Sequence, residues 1–198
     1  MPRRSDPAPP TAREKDVLAM RLGVFADVHD HIDHLRLAVA EIDRRGCDLA
    51  VFAGDLVSTL CVPHLRELAC PLVGCYGDNE GNRVGLAAGM RILGRFGDPP
   101  LGFRTADGTR IVLTHQLWLV KGELDGAEIV IHAHTHRPRI HRDDAGRLIV
   151  NPGETSGWTY RRPTMAIVET QPLAGEIVDL AEMPRVARRR INRSSQYR

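Results

Sequence analysis

Three histidines alternate with other residues directly after a short apolar run near the middle of the chain. The run covers residues 129–131, and the histidines are His132, His134 and His136. The β-branched residues of the run are typical of a buried strand, and residues two apart on an extended chain share one face. Imidazole nitrogens on one face are suited to binding a metal ion. A surface cluster of histidines without a ligand is the alternative interpretation.

Earlier apolar runs end in the same way. Runs at 22–26, 49–53 and 111–114 are each followed by side chains that can bind a metal. Those side chains are Asp27 and His29 after the first run, Asp55 after the second and His115 after the third. In open α/β sheets, ligands bind beyond the carboxyl ends of the strands. We therefore expect these residues to converge with His134 and His136.

A fourth apolar run, at 71–75, ends in a polar loop at 76–81 that contains Asp78, Asn79 and Glu80. Loops of this composition are also common as plain turns, but the position of this one after a strand favours a metal ligand. Neighbouring side chains at an extended strand end point to opposite sides, so we expect Asp78 to face the site. The alternative, in which the amide oxygen of Asn79 is the ligand, stays open.

The elements that position these residues follow from the spacing of apolar side chains. Residues 22–26 and 49–53 are predicted strands with a helix at 33–45 between them, which makes a βαβ unit with parallel strands. Further helices are predicted near 61–69 and 82–95 and within 116–126. From residue 101 onward, strands are predicted near 101–106, 109–114, 128–132, 137–142, 147–151, 164–170 and 175–180. This order predicts an α/β fold of two packed sheets flanked by helices.

The ends of the chain differ from its body. Residues 1–15 are rich in Pro and Arg, and residues 185–198 carry six arginines. We predict a disordered leader at 1–15, one domain at 16–182 and a disordered basic tail at 183–198. The arginines of the tail could neutralise nucleic-acid phosphates. A solvated tail without a partner is an equal alternative.

The cysteines and the hydropathy pattern bear on the location of the protein. Cys47, Cys61, Cys70 and Cys75 show no C-x-x-C spacing. The sequence contains neither the pattern of a secretory signal nor an apolar run of the length, about 20 residues, that spans a bilayer. We therefore predict reduced thiols, a cytoplasmic location and no membrane association.

The full set of candidate ligands has mixed chemistry. It consists of Asp27, His29, Asp55, Asp78, His115, His134 and His136. Carboxylate and imidazole together suit Mn, Fe, Zn or Ni better than Mg or Ca alone. Seven ligands are too many for one four-coordinate ion and suit two divalent ions that share a carboxylate. Such ions lie about 3.5–4 Å apart, activate a bridging water and hold the oxygens of an in-line phosphoryl displacement.

The order of these motifs resembles the calcineurin-like metallophosphoesterase superfamily, and most closely its small bacterial and archaeal branch, the YfcE-like phosphodiesterases. The resemblance covers roughly residues 21–180. The motifs that carry it are Asp-Val-His-Asp-His at 27–31, Gly-Asp-Leu-Val-Ser at 54–58 and Asn-Pro-Gly-Glu at 151–154. It implies a four-layer α/β/β/α sandwich and hydrolysis of a phosphodiester by a hydroxide that bridges two metal ions.

The resemblance also implies how the ligands are shared. Asp27, His29 and His136 would bind the first ion, Asp78, His115 and His134 the second, and Asp55 would bridge the two. The chain departs from the family pattern at Asp78, where Asn is usual, and at Asn79, where many members outside this branch have a His that acts as general acid. A third departure is Gln116, which follows His115 where the family tends to have Gly.

Three residues form the predicted catalytic set, and two arginines are candidates for contact with the substrate. Asp55 would act as the bridging carboxylate, Asn79 occupies the position of the general acid, and His31 could assist the leaving group. Together with His31, the side chains of Arg83 and Arg161 could reach the substrate phosphate. A solvated surface arginine is the commoner outcome for each of them.

Two other functions compete with this interpretation. A metallo-β-lactamase-type hydrolase has an Asp-His pair directly after its histidines, whereas Arg137 and Pro138 follow His136 here. A non-catalytic scaffold, such as the retromer subunit that shares this fold, has lost several ligands, whereas this chain retains a candidate at each position. We expect an enzyme with a phosphodiester substrate, of which nucleotides are one candidate class. A homo-oligomer, in which a neighbouring subunit completes the substrate-binding surface, is a further possibility.

Overall fold

The computed structural model describes residues 19–182 apart from 121, 123 and 125. The leader predicted for residues 1–15 and the basic tail predicted for residues 183–198 lie outside the described residues. All four cysteines lie within them and are free, as expected for reduced thiols. None of the helices in the described part of the chain has the length and apolar character needed to cross a membrane.

Eleven strands and three α-helices make up the regular structure of the described residues. The strands are β1 (Arg21–Phe25), β2 (Leu49–Phe52), β3 (Leu72–Cys75), β4 (Gly94–Gly97), β5 (Leu101–Arg104), β6 (Arg110–Leu113), β7 (Ile129–Ile131), β8 (Arg139–Arg142), β9 (Leu148–Asn151), β10 (Thr164–Thr170) and β11 (Leu173–Asp179). The helices are α1 (Ile32–Arg44), α2 (Val62–Leu65) and α3 (Arg83–Met90). Short 3₁₀ turns cover Thr59–Cys61, Leu117–Val120 and Leu180–Glu182.

The strands form two mixed sheets, which confirms the predicted fold class. The first sheet has the order β11-β10-β1-β2-β3-β4, in which β1 to β4 are parallel and β10 pairs antiparallel with both β1 and β11. The second has the order β5-β6-β7-β9-β8, with β6, β7 and β9 parallel. Because parallel strands end at the same edge, each sheet presents several carboxyl ends side by side.

The alternation of side chains along the strands builds two apolar layers. In β2, Leu49 and Val51 face the second sheet, whereas Ala50 and Phe52 face the helices. Helix α1 forms because its apolar residues recur at helical spacing; the buried ones are Leu35, Ala38, Val39 and Ile42. Its Ile42 packs so closely on β1 that a Cβ at Gly23 would lie 2.5 Å from the Ile42 Cγ1 atom. The first sheet is therefore covered on both faces.

The outer face of the second sheet is covered by a smaller apolar cluster. Val130 and Ile149 are buried there with Ala127, and the partly buried Val112 and Leu124 pack against them. Among the described residues, the segment between β6 and β7 contains only a single 3₁₀ turn. Among the described residues, irregular chain and this single turn therefore provide most of the cover on the outer face of the second sheet.

Two predicted helices are shorter in the structure. The helix predicted at 82–95 ends at Met90, and residues 94–97 form the edge strand β4, which pairs in parallel with β3. The sequence prediction was wrong here because the segment Gly-Arg-Phe-Gly has no apolar run, and its strand conformation depends on pairing with β3. The helix predicted at 61–69 is limited to a 3₁₀ turn and the four residues of α2.

Candidate metal centre

The predicted ligands lie together at the carboxyl ends of parallel strands from both sheets. The candidate ligands form three overlapping groups, and within each group the ligand atoms all lie within 4.8 Å of one another. These groups are Asp27, His29 and His136; Asp78, His115 and His134; and Asp27, Asp55 and His115. They follow β1, β2 and β3 of the first sheet and β6 and β7 of the second. The two sheets therefore bring together side chains more than 100 residues apart in sequence.

Most of these residues have an unusual backbone conformation. Five of them have a positive φ, which is uncommon for residues other than glycine. The values are 50° at Asp27, 42° at His29, 63° at Asp55, 69° at His134 and 60° at His136. Residues in such conformations cost free energy, so they cluster where the surrounding structure holds them for a function. The strain therefore concentrates on the loops that carry the candidate ligands.

Two glycines allow the loops after β2 and β3 to approach each other. Gly54 has a φ of 98°, and a Cβ there would lie 2.6 Å from Nδ1 of His115 and 2.8 Å from the backbone of Gly77. A Cβ at Gly77 would overlap the Asp55 carboxylate. A side chain at Gly54 would displace His115 and a side chain at Gly77 would displace Asp55, so these glycines set the spacing of the site.

The first group is arranged around His136. Its Nδ1 atom lies 2.9 Å from Oε2 of Glu154, which can only accept a hydrogen bond when ionised. The proton of the neutral imidazole is therefore on Nδ1, and Nε2 carries a lone pair. That Nε2 atom lies 3.4 Å from Nε2 of His29 and 3.7 Å from Oδ1 of Asp27. Nitrogen and oxygen lone pairs thus converge on one point.

The second group is arranged around His115, which is buried. Its Nδ1 atom lies 2.7 Å from the carbonyl oxygen of Ala53, so Nδ1 donates and Nε2 faces the site. Nε2 lies 2.8 Å from Oδ1 of Asp78, and the same oxygen lies 3.0 Å from Nδ1 of His134. Asp78, and not Asn79, is thus the loop residue whose side chain contacts both histidines.

Asp55 lies between the two groups. Its Oδ2 atom is 3.5 Å from Nε2 of His29 in the first group and 3.5 Å from Nε2 of His115 in the second. The backbone N–H of Asn79 donates to Oδ1 at 2.9 Å, and its side-chain amide donates to Oδ2 at 2.9 Å. The Asn79 side chain therefore holds the Asp55 carboxylate in place.

Glu80 fixes the loop that carries Asp55. Its carboxylate accepts hydrogen bonds from the backbone N–H groups of Asp55, Leu56, Val57 and Gly77 at 2.8–3.2 Å. Bonds from backbone N–H groups to a carboxylate are stronger than neutral ones. One side chain thus ties the loop after β2 to the loop after β3, and it supports the positive φ of Asp55.

The electrostatics of the cluster favour a positive charge at its centre. Burial raises the pKa of Asp27 to about 7. For Asp55, burial acts in the same direction, but the hydrogen bond and charge of His115 and the bonds from Asn79 lower its pKa well below the ordinary value. Burial lowers the pKa of His115, yet Asp55 and Asp27 outweigh it and raise that pKa to about 9. The carboxylates of Asp27 and Asp55 therefore stabilise a positive charge beside them.

Unpaired buried atoms show that the cluster fits a bound cation. Both carboxylate oxygens of Asp27 are buried and make no hydrogen bond to any described residue. Buried polar atoms are nearly always paired, so each such exception needs an explanation. Burial lowers the pKa of His29, which keeps its imidazole neutral and able to bind a metal. Divalent transition-metal ions match this set of carboxylate oxygens and imidazole nitrogens.

The family of the chain follows from its sequence over the same region. A model of the calcineurin-like phosphoesterase superfamily domain matches residues 20–172. The chain belongs to this superfamily. Phosphodiesterase MJ0936 of Methanocaldococcus jannaschii is 26% identical over 161 residues, which cover 77% of this chain and 94% of that protein. The prediction of a phosphoesterase, an enzyme class that hydrolyses phosphate esters, is therefore confirmed at the level of the family.

Solved structures share the fold. An archaeal phosphodiesterase has a TM-score of 0.75 at 23% identity and covers 81% of this chain and 99% of that one. The phosphoesterase Yfce of E. coli has a TM-score of 0.55 at 18% identity and covers 75% and 88%. Vps29 of Entamoeba histolytica, solved with Zn²⁺, has a TM-score of 0.52 at 18% identity and covers 81% and 99%. The predicted resemblance to this superfamily and its fold is confirmed.

Several residues that were candidates for metal binding, catalysis or substrate contact lie outside the ligand groups. His31 caps α1, because its Nδ1 atom accepts from the backbone N–H of His34 at 3.3 Å. His132 is in none of the groups. Arg83 pairs with the carboxylate of Asp98 and lies over the Tyr76 ring, so it is engaged elsewhere. A catalytic role of His31 stays a prediction.

Sequence reasoning missed two features of the site. Glu154 was quoted only as part of a motif, yet its fully buried carboxylate contacts His136 and accepts from the backbone N–H groups of Thr159 and Tyr160. The sequence signal that could have identified Glu154 is its position directly after the Asn-Pro-Gly turn at 151–153. Trp158 was also missed, because no local pattern indicates that it contacts residues near position 30.

Proposed function

We propose that this phosphoesterase hydrolyses phosphodiesters with a pair of divalent transition-metal ions, Mn, Fe, Zn or Ni. The observation that carries the proposal is the position of Asp55, whose Oδ2 atom is equally far, at 3.5 Å, from a histidine of each ligand group. A carboxylate in this position is suited to bridge two ions. The activity of the archaeal relative that is named a phosphodiesterase agrees with this choice of reaction.

Each ion has a proposed set of ligands. Asp27, His29 and His136 would hold one ion, Asp78, His115 and His134 would hold the other, and Asp55 would contact both. When bound, two such ions lower the pKa of a water molecule between them and neutralise the phosphate oxygens of an in-line displacement. The protein's own part is to hold the ligands at the correct spacing.

Residues around the ligands perform this positioning. Asn79 donates twice to Asp55, and Glu80 holds the Asp55 loop through four backbone N–H groups. Glu154 fixes the tautomer of His136, so that Nε2 faces the site. These contacts orient the ligands before any substrate binds, which lowers the cost of reorganisation during the reaction.

Asn79 gives the leaving group little help, because it cannot act as a general acid. An amide cannot donate a proton as an imidazolium does, and the side-chain nitrogen of Asn79 already donates a hydrogen bond to Asp55. General acid catalysis is typically worth about 10²–10⁴-fold in rate. The remaining candidate donor in the predicted catalytic set is His31. We therefore expect rates that depend strongly on the pKa of the leaving group.

Hydrolysis of bis(4-nitrophenyl) phosphate, with and without added metal, tests the proposal. We expect turnover by the reconstituted protein and none after chelation. Asp55→Asn and His134→Ala should abolish turnover while the circular dichroism spectrum stays native. Matched controls are Asp98→Asn, at an exposed surface pair, and His64→Ala, in α2 and outside the ligand groups. These two controls should retain activity.

The competing function is a scaffold with this fold that lacks catalysis. Vps29, a structural neighbour, shows that the fold extends beyond the proteins named as phosphoesterases. A reconstituted protein that binds metal but hydrolyses neither phosphodiesters nor phosphomonoesters would favour the scaffold. Equal rates for the wild type and for His134→Ala would also contradict the proposal, because His134 is required in the second ligand group.

A further inference from the structure

The two tryptophans of the chain lie beside different ligand groups. The Trp118 ring packs edge-on against the His134 ring, with 5.2 Å between their centroids, and His134 belongs to the second group. The Trp158 ring lies 4.5 Å from the His31 ring, and its Nε1 donates to the carbonyl oxygen of His29, in the first group, at 3.2 Å. Each proposed ion therefore has one indole ring next to its ligands.

Core packing does not explain these rings. Trp118 is 54% exposed and Trp158 is 62% exposed, and neither is in an apolar core cluster. Tryptophan is usually well buried, because a large apolar ring in water forgoes a large hydrophobic gain. The hydrogen bond of Trp158 to His29 fixes the orientation of its ring, although most of its surface faces solvent. Both rings are thus available for a flat ligand.

We propose that the two indole rings stack on nucleobases, one on each side of the scissile phosphate, so that the substrate class is a dinucleotide or the end of a single strand. This inference rests on the proposed phosphodiesterase function. A phosphodiester has two organic groups that leave the phosphorus in different directions. A phosphate held between the two ligand groups would direct one organic group toward Trp118 and the other toward Trp158.

Nucleobases fit these rings better than other organic groups. Every base has a flat π-face that stacks on an aromatic side chain, whereas a glycerol group has none. The loop that carries Trp158 also contains the exposed Tyr160 ring, with the Arg137 guanidinium over it, and the exposed Arg161. Cations at this rim favour an anionic phosphate ester.

Stacking has an expected size. One base on one aromatic side chain contributes about 5- to 150-fold to affinity, as judged by alanine substitution. Trp118→Ala and Trp158→Ala should therefore each lower kcat/KM for a dinucleotide by about this factor. The same substitutions should lower kcat/KM for a diester without bases by clearly less. The ratio of the two kcat/KM values is the quantity that reports stacking.

The experiment compares two substrates in the metal-reconstituted protein. One is methyl 4-nitrophenyl phosphate, which carries no base, and the other is the deoxyadenosine dinucleoside phosphate, followed by chromatography. We expect the dinucleotide-to-methyl ratio to fall at least fivefold in both alanine variants. Trp118→Phe and Trp158→Phe, which keep a stacking ring, should restore most of it. Ile92→Ala removes an equally exposed apolar side chain outside the site and should leave the ratio unchanged.

Tryptophan fluorescence gives a second measurement that does not depend on turnover. Because the chain has two tryptophans, Trp118→Phe and Trp158→Phe each leave one emitting ring. Titration with the phosphorothioate analogue of the dinucleotide, which resists hydrolysis, should quench both variants. Methyl phosphate should quench neither. Quenching of only one variant would overturn the two-base proposal. A tryptophan emission that changes with protein concentration in the absence of dinucleotide would also overturn it, because the rings would then form a protein interface.

Failure of this inference is distinguishable from failure of the proposed function. If the reconstituted wild type hydrolyses neither substrate, the phosphodiesterase proposal fails, and the inference fails with it. If it hydrolyses methyl 4-nitrophenyl phosphate but the alanine variants lose both activities in equal proportion, the diesterase stands. In that case the tryptophans only support the ligand loops, and the stacking role is rejected.

Discussion

Oε2 of Glu154 lies 2.9 Å from Nδ1 of His136, on the side of the imidazole that faces away from the ligand cluster. Glu154 is fully buried, and Thr159 and Tyr160 donate to it through their backbone N–H groups. Burial opposes ionisation, but the bonds from His136, Tyr160 and Thr159 lower its pKa below the ordinary value. The carboxylate is therefore ionised at neutral pH and orients the histidine.

Glu154→Gln tests this orienting role. The amide has only one accepting oxygen, so its NH₂ group must face either His136 and Thr159 or the backbone N–H of Tyr160. We expect a loss of metal affinity of about 10–100-fold, as is typical when the partner of a metal-binding histidine is removed. Competition with a chelator measures the affinity. Glu176→Gln, which removes an exposed carboxylate that pairs with Arg45, is the control and should change nothing. Equal affinities in the wild type and Glu154→Gln would reject the role.

Asp27→Asn should separate metal binding from stability. Both oxygens of Asp27 are buried without a hydrogen-bond partner, so its charge is costly in the metal-free protein. A neutral amide should raise the free energy of unfolding of the metal-free protein by about 1–3 kcal/mol. The same variant should lose the stabilisation by added metal. Urea denaturation with and without metal measures both effects, and a destabilised metal-free variant would contradict the explanation.

Asp78→Asn should change the preference between monoesters and diesters. Three carboxylates facing two divalent ions leave one net positive charge, and an amide at position 78 would leave two. A dianionic monoester gains more from that charge than a monoanionic diester, on the order of tenfold in relative kcat/KM. Metal affinity should fall at the same time. We expect the wild type to prefer diesters. A monoester preference that Asp78→Asn leaves unaltered would count against this charge argument, and Asp98→Asn is the surface control.

Glu41 gives a prediction about acid stability. Its carboxylate is fully buried in α1 and accepts hydrogen bonds from Arg44 and Arg45. Burial acts to raise its pKa, but the two guanidinium groups outweigh it and lower the pKa below the ordinary value. Because the folded pKa is lowered, the contribution of Glu41 is complete above the unfolded pKa, about 4.3, and is lost as pH falls through the folded pKa.

Glu41→Gln should therefore destabilise the protein at pH 7 and have a smaller effect at pH 3. Both arginines are partly exposed and can turn to water, so we expect a loss of only about 1–2 kcal/mol at pH 7. Urea denaturation at the two pH values measures it. Glu169→Gln, at the more exposed pair with Arg21, should have a smaller effect. An equal loss at both pH values would show that packing, not charge, is responsible.

The architecture could be predicted from sequence because its signals are local. Apolar runs at 22–26 and 49–53 gave β1 and β2, and the parallel βαβ connection placed Asp27 and Asp55 at one edge. The edge strand β4 could not be predicted in this way, because its residues become a strand only by pairing with β3. The ordered motifs also led to the correct superfamily.

The surroundings of the ligands were less predictable. Trp158 donates to the carbonyl oxygen of His29, 129 positions earlier in the chain, and no period or turn signal relates such positions. Glu154 depends on the loop after it, which returns two backbone N–H groups to its carboxylate. The positive φ of Asp55 is likewise maintained by Glu80, 25 positions later. These are tertiary contacts, which sequence spacing does not encode.

The number of metal ions bound by each chain tests the central claim most directly. After reconstitution with Mn²⁺ or Zn²⁺ and removal of free metal, elemental analysis should give two ions per chain. His29→Ala, in the first group, and His134→Ala, in the second, should each leave about one ion and no turnover, while His64→Ala should retain two. A wild type that binds at most one ion, or that hydrolyses phosphodiesters at full rate without metal, would contradict a dinuclear site.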